Sequence, residues 1–94
     1  MTRSEILETA NKCVCGDREQ DYGSPEKNFE VIANLWADYL QACGVEIDFL
    51  EPKDVAAMLA LLKIARIASG HAKEDNWIDL AGYAACGGEL EAAQ

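Results

Sequence analysis

The hydrophobic positions recur at helical spacing in four segments of the 94-residue chain. Apolar residues three and four apart place a stripe on one face of a helix. This pattern predicts helices over about 3–15, 25–43, 52–69 and 74–87. The connector over 45–50 has a strand-like composition but no second strand to pair with, so we interpret it as a loop. The chain is therefore expected to be an all-α, four-helix single domain spanning 1–94.

Local signals mark where these helices begin and end. Thr2 followed by Glu5 has the spacing of a capping box, and Ser24-Pro25 supplies an N-cap followed by proline at the first helical position. Pro52 opens the third helix in the same way. Gly87–Gly88 predicts that the fourth helix breaks or frays near its end, because glycine weakens a helix interior.

The second helix carries an apolar stripe close to ideal helical spacing, which predicts its buried face. The stripe consists of Phe29, Ile32, Trp36, Tyr39, Leu40 and Cys43. Trp36 and Trp77 are expected in the core, as are Cys43 and Cys86, which behave as small hydrophobic residues. Gly82, inside the fourth helix, indicates close packing against another helix or a ligand.

The third helix is apolar almost all round. Between Val55 and Ala68 the only charged residues are Lys63 and Arg66. A helix of this kind is buried on most sides, and a chain of this size cannot surround it alone. We therefore expect a homo-oligomer assembled through helix 3.

Composition and net charge exclude some classes of function. The net charge of −9 argues against a nucleic-acid-coating surface, which needs a basic stripe. No apolar run is long enough for a membrane span, and no export signal is recognisable at the start. We expect a cytoplasmic protein with its four cysteines as free thiols.

Two pairs of charged residues are the best candidates for chemistry. Lys63 and Arg66 share one helix face, and Asp75 and Asp79 share a face of the next helix. In one interpretation the cations pair with the carboxylates across an antiparallel hairpin. In the other, the cations bind phosphate oxygens, while Asp75 and Asp79 hold a metal such as Mg²⁺. The residues alone leave both interpretations open.

The segment before the second helix offers further ligand-binding candidates. Arg18 and Lys27 are cations, and Tyr22 has a ring that can stack on a base or pack on helix 2. Gly23 permits the turn that precedes the capped helix start. Backbone N–H groups at a helix N-terminus favour an anion there.

Several short motifs, taken in order, resemble those of a known family. They are Arg18 to Gly23, Asn28-Phe29, Lys63 to Arg66, and Asp75 to Tyr83. Together they resemble small helical proteins of bacteriophages and prophages. If the chain is phage-encoded, the expected location is the cytosol of the host cell. The C-terminal half of these proteins is similar to the MazG-like all-α nucleoside triphosphate pyrophosphohydrolases. The resemblance implies a helical, often oligomeric, Mg²⁺-dependent enzyme that releases pyrophosphate from nucleoside triphosphates.

The match to the carboxylate motifs of that superfamily is partial. Asp79 matches the final Asp of the second motif, but Asn76 stands where its Glu is expected. Helix 3 carries Lys63 and Arg66 where the first motif has carboxylates. Pyrophosphate cleavage uses two or three Mg²⁺ ions, which two carboxylates do not readily hold.

Three functions follow as hypotheses. The first is a nucleotide-binding protein that captures, without turnover, a nucleotide or a nucleotide-derived host signal such as a cyclic nucleotide. The second is a MazG-like pyrophosphohydrolase, so whether the chain is an enzyme stays open. The third is a non-catalytic interaction module in which the charge cluster is a structural lock.

Overall fold

The computed structural model describes residues 1–17, 24–70 and 73–92 of the chain. The described residues form four α-helices and contain no strand. The helices are α1 (Arg3–Lys12), α2 (Pro25–Ala42), α3 (Pro52–Ala68) and α4 (Glu74–Ala92), and a π-helical turn, Cys13–Asp17, continues α1. The expected all-α class is confirmed. No helix in this described part is long and apolar enough to cross a membrane.

Side chains hold the first turns of α1 and α3. The Glu5 backbone N–H donates to Thr2 Oγ1 at 3.1 Å, and the Thr2 N–H donates to Glu5 Oε1 at 3.2 Å, so the predicted capping box is confirmed. At α3 the Glu51 N–H donates to Asp54 Oδ2 at 2.9 Å. These bonds satisfy backbone groups that a helix start otherwise leaves without a partner.

Helices α3 and α4 form an antiparallel hairpin. Lys53 Nζ lies 2.8 Å from Glu91 Oε2 at one end, and Lys63 Nζ lies 2.9 Å from Asp79 Oδ2 nearer the other. Helix α1 lies along α4, with the Met1 ammonium 3.1 Å from Glu74 Oε1. Helix α2 packs mainly on α3. The hairpin is therefore the centre of the fold, and the other helices flank it.

The core lies where α2, α3 and α4 meet. Its largest fully buried side chains are Phe29 and Val55, with 1% and 0% exposure. The other buried members of the cluster are Ala33, Ala56, Cys86 and Leu90. Burial of Cys86 agrees with the prediction. Half of the six, Ala33, Ala56 and Cys86, are small residues.

Helix α4 is longer than the sequence predicts. It continues through Gly87–Gly88 to Ala92, so the expected break at these glycines and the predicted end at 87 are wrong. Leu90 is only 3% exposed and belongs to the core, which stabilises the last turns. A Cβ at Gly87 would lie 3.3 Å from the Ala56 Cβ, so the glycine permits close packing of α3 on α4.

Several predicted core positions lie at the surface of the single chain. Trp77 is 49% exposed, Tyr39 is 65% exposed, and Cys43 is exposed as well, so their assignment to the core is wrong. Phe29 of the stripe is buried as predicted, and Ile32 and Trp36 pack partly buried against the core. The other buried residues of α2 are Ala33 and Ala37, which the stripe does not include. Helix α2 packs mainly on one side, so the rest of its apolar stripe has little protein to cover it.

Helix α3 is less buried than its composition predicts. Only Val55 and Ala56 are buried within it, whereas Leu61 and Leu62 are 62% and 51% exposed. Gly82, by contrast, behaves as predicted. A Cβ at this position would lie 2.9 Å from Val14 Cγ1, so the turn after α1 packs directly on the α4 backbone.

Candidate functional site

Lys63 and Asp79 form an ion pair across the α3–α4 hairpin. The Nζ–Oδ2 distance is 2.9 Å, and the two side chains are 17% and 42% exposed. Pairing of Lys63 with Asp79 is what the first of the two interpretations predicts. The pair leaves binding capacity on both sides, because an ammonium has three donors and a carboxylate has about four acceptor positions.

Arg66 follows one turn after Lys63 and is held by Asn76. Its Nε donates to Asn76 Oδ1 at 3.3 Å, and Asn76 is only 4% exposed. Arg66 itself is exposed. A guanidinium has five N–H donors, and no described residue accepts from its four terminal ones. The buried amide thus holds the Nε side of the guanidinium, and the terminal donors remain without an acceptor among the described residues.

Sequence reasoning missed this role of Asn76. In the sequence, Asn76 stands out only as a departure from a carboxylate motif. The signal was its spacing, because Asn76 lies three residues before Asp79 and therefore on the same face of α4. We name Lys63, Arg66, Asn76 and Asp79 the polar row.

Asp75 lies beside the polar row but is not part of its hydrogen bonding. It is exposed and forms no ion pair with any described residue. Within 1–17, 24–70 and 73–92 there is no group of three or more His, Cys, Asp or Glu side chains placed to hold a metal ion. Metal binding by Asp75 and Asp79 stays a prediction.

The structure does not bring Lys27 to the polar row. Lys27 is in the first turns of α2, and the neighbouring Glu26 side chain interacts with Glu89 near the end of α4. Glu89 is ten residues beyond Asp79, which corresponds to about 15 Å along the helix axis. Arg18, Tyr22 and Gly23 lie outside the described residues. Ligand binding by these four residues stays a prediction.

The N-terminus of α2 already holds a carboxylate of the chain itself. The backbone N–H of Glu26 lowers the pKa of its own side chain, and the Ser24 hydroxyl and Glu89 lower it further. Ser24 is the N-cap by backbone geometry, although its side chain makes no capping hydrogen bond. The anion-favouring end of this helix is therefore occupied in part by Glu26.

Comparisons with known proteins place the chain in a family. Residues 5–91 match the domain of unknown function DUF6378. The Gene 55 protein of Mycobacterium phage L5 is 46% identical over 89 residues, which cover 95% of this chain and 52% of that protein. The Gene 55 protein of Mycobacterium phage D29 is 41% identical over 81 residues, covering 86% and 50%.

These relatives support the predicted resemblance to small bacteriophage proteins. The predicted similarity to MazG-like enzymes stays a prediction. The chain spans about half the length of the curated relatives it matches. No solved structure matches it significantly. The match over most of its length shows that the chain belongs to the DUF6378 family.

Proposed function

We propose that this domain binds a nucleotide, or a nucleotide-derived signal, through phosphate oxygens at the polar row. The observation that carries the proposal is the guanidinium of the exposed residue Arg66, whose Nε is bonded to buried Asn76 while its terminal N–H groups have no acceptor among the described residues. A planar fork of donors matches the oxygens of a phosphate group, and these charge-assisted bonds are stronger than neutral ones. The fork is held in place before the ligand arrives.

Lys63 supplies the second cation of the proposed site. It lies three residues before Arg66 on α3, and its ammonium faces α4 through the bond to Asp79. The cations are localised on a chain whose net charge is −9. That arrangement suits a small anion, which needs a few local cations, better than a nucleic-acid backbone, which needs an extended basic surface.

Asp75 and Asp79 are the candidates for Mg²⁺ that enters with the nucleotide. Magnesium bound together with phosphates commonly takes only one or two carboxylates from the protein. Asp79 is 42% exposed, so one of its oxygens can reach a metal while the other contacts Lys63. Two carboxylates suit metal-assisted binding better than the multi-metal cleavage of pyrophosphohydrolases. Capture without turnover is therefore the preferred form of the proposal, and MazG-like cleavage is its alternative.

Assembly through α3 is part of the same proposal. Its support is the exposure of large apolar side chains on α3, including Leu61 at 62% and Ile64 at 48%. An interaction module would share this surface. It differs from the nucleotide-binding function in requiring nothing of Arg66 beyond its bond to Asn76.

The test compares two lysines on the same helix. Lys63 and Lys53 each form an ion pair with an acid on α4, at 2.9 and 2.8 Å, but only Lys63 belongs to the polar row. Calorimetric titration with nucleoside triphosphates, monophosphates and cyclic nucleotides, with and without Mg²⁺, is carried out on the wild type, Lys63→Met and Lys53→Met. We expect roughly tenfold weaker binding for Lys63→Met, the loss of one charge-assisted contact, and no change for Lys53→Met.

Four outcomes decide between the hypotheses. Absence of binding to every nucleotide at high micromolar concentration contradicts the proposal, as does equal weakening by both lysine variants. Release of pyrophosphate in the presence of Mg²⁺, abolished by Asp79→Ala, establishes the enzymatic alternative. Binding without release supports capture.

A further inference from the structure

A groove lies between the start of α2 and the connector that leads into α3. One side of it is formed by Glu26, Glu30 and Asn34, which are spaced four residues apart and share a face of α2. The rest of the lining is apolar except for one acid, and it consists of Phe49, Leu50, Glu51, Pro52 and Leu90. We name these eight residues the acidic groove. Its volume of about 430 Å³ is typical of a ligand-binding cleft.

The acidic groove is formed by parts of the chain that hold one another in place. Gln41 Nε2, on α2, donates to the backbone oxygens of Ile47 at 2.8 Å and of Asp48 at 3.2 Å, which fixes the connector against the helix. Leu90, in the last turns of α4, is buried in the core. Because the groove is already formed in the free chain, a partner that binds there loses little free energy to ordering it.

The chain does not neutralise the negative charge of the groove. Neither Glu26 nor Glu30 forms an ion pair with any cation of the described residues. Lys53 lies 3.5 Å from Glu51 but contacts Glu91 more closely, at 2.8 Å. The lining residues include no lysine or arginine. A cleft lined by charges of one sign attracts a ligand of the opposite sign, so the complementary ligand is cationic.

The groove also exposes apolar surface, which a simple cation does not cover. Phe49 is 66% exposed, and Leu50 beside it packs against the core but is only partly buried. The groove acids are not arranged as a metal site, since no group of three or more metal-binding side chains occurs in the described part of the chain. A complementary ligand therefore combines positive charges with an apolar group.

We propose that the acidic groove binds a basic segment of a partner protein, in which lysine or arginine side chains flank an apolar one. The cations meet Glu26 and Glu30, and the apolar side chain covers Phe49. The α2 side of the groove rises about 12 Å from Glu26 to Asn34. That length accommodates roughly four residues of an extended peptide. The groove lies at the opposite end of the α3–α4 hairpin from the polar row, so this proposal does not depend on nucleotide binding.

Two charge reversals on the same stripe of α2 provide a matched test. Glu30 lines the groove, whereas Asp38 lies two turns further along the stripe, is exposed and is not part of the lining. Glu30→Lys and Asp38→Lys change the net charge of the chain equally. The probe is a capped, fluorescent peptide of alternating lysine and leucine, and its affinity is measured by anisotropy. We expect roughly tenfold weaker binding for Glu30→Lys and little change for Asp38→Lys.

A second pair of variants tests the apolar contact. Phe49 lines the groove, whereas Leu35 is similarly exposed on α2, at 61%, but lies outside the lining. We expect Phe49→Ser to weaken binding of the peptide several-fold and Leu35→Ser to leave it unchanged. The same peptide with serine in place of leucine should bind the wild type more weakly, as should spermidine, which has positive charges but no apolar side chain.

The outcomes that overturn the proposal are specific. Absence of peptide binding to the wild type at high micromolar concentration does so, and so does equal weakening by Glu30→Lys and Asp38→Lys, which reports only attraction to the net charge of the chain. Spermidine that binds as tightly as the lysine–leucine peptide shows a polyamine site and overturns the assignment to a protein segment. Circular dichroism checks that each variant keeps its helices. If Glu30→Lys does not, Glu30→Gln and Asp38→Asn replace the pair, with about two- to fivefold weakening expected for Glu30→Gln alone.

Discussion

Lys63 and Asp79 join the middle of α3 to the first turns of α4 through an Nζ–Oδ2 contact of 2.9 Å. The contact has two consequences. It helps to set the register of the hairpin, and it places an ammonium one turn from Arg66. A stabilising pair and a candidate ligand site thus share the same atoms, and mutations can separate the two roles.

Removing both partners of this pair should be better tolerated than removing one. Asp79→Leu leaves the Lys63 ammonium, whose side chain is 17% exposed, without its carboxylate. Lys63→Met together with Asp79→Leu replaces the pair by apolar contact, which is often neutral. In urea unfolding we expect a coupling free energy of about 1 kcal/mol between the two sites. Strictly additive single effects would show that the contact contributes nothing to stability.

Nucleotide titration of the same double variant shows whether the polar row is a purely structural cluster or a binding site. If the polar row binds phosphate, the folded double variant loses affinity. If the row is only structural, a ligand bound elsewhere on the domain is unaffected.

Replacing Gly82 and Gly88 by alanine should change stability in opposite directions. A Cβ at Gly82 would lie 2.9 Å from Val14 Cγ1, which forces α1 and α4 apart and costs about 1–3 kcal/mol. A Cβ at Gly88 has nothing within 4 Å, so the better helix propensity of alanine should stabilise by up to about 1 kcal/mol. Urea denaturation measures both. A neutral Gly82→Ala variant would mean that the turn after α1 moves aside freely.

Asn76 should act on ligand binding through Arg66. Asn76→Ala removes a buried amide whose Oδ1 accepts from Arg66 Nε, and we expect a loss of about 1–3 kcal/mol in unfolding free energy. Nucleotide affinity should fall as well, because the guanidinium loses its fixed orientation. Asn76→Asp keeps an acceptor at the same place and should recover much of the affinity. If Asn76→Asp and Asn76→Ala bind equally weakly, positioning through Arg66 is wrong.

Glu26 should make stability depend on pH in the acid range. Its own backbone N–H, then the Ser24 hydroxyl, lower its pKa in the folded protein below the ordinary value of 4.5. The carboxylate therefore stabilises the fold above the unfolded-state pKa, and this contribution is lost as the pH falls through the folded-state pKa. The stability difference between wild type and Glu26→Gln should be present at neutral pH and disappear in acid.

Glu30→Gln is the matched control for this measurement, since Glu30 lies one turn further along α2. A pH-independent difference between wild type and Glu26→Gln in thermal melts would contradict the role of Glu26 at the helix start.

Helix existence and helix starts were predictable because they depend on neighbouring residues. The capping box of Thr2 with Glu5, the start at Pro25 and the start at Pro52 are all as predicted. The end of α4 was not, because Leu90 is held by residues on α2 and α3 that are distant in sequence. Helix propensities account for the weakening effect of Gly87 and Gly88, but they do not include the free energy gained by burying Leu90.

The candidate site was likewise predictable in part from the sequence. Helical spacing alone put Lys63 with Arg66 on one face and Asp75 with Asp79 on another. Spacing could not decide which carboxylate Lys63 meets, nor that Asn76 rather than an acid accepts from Arg66. Those partners depend on the register and rotation of two packed helices.

The sequence by itself determined the all-α class, the four helices and the positions of the charged pairs, because periodicity and capping act within a few residues. Only the tertiary structure decided that Trp77, Tyr39 and Cys43 lie outside the core and that α4 reaches Ala92. Burial depends on which helix faces happen to meet. A stripe of apolar residues shows that burial of a helix face is favourable, whereas the packing of the whole chain decides whether that face is buried.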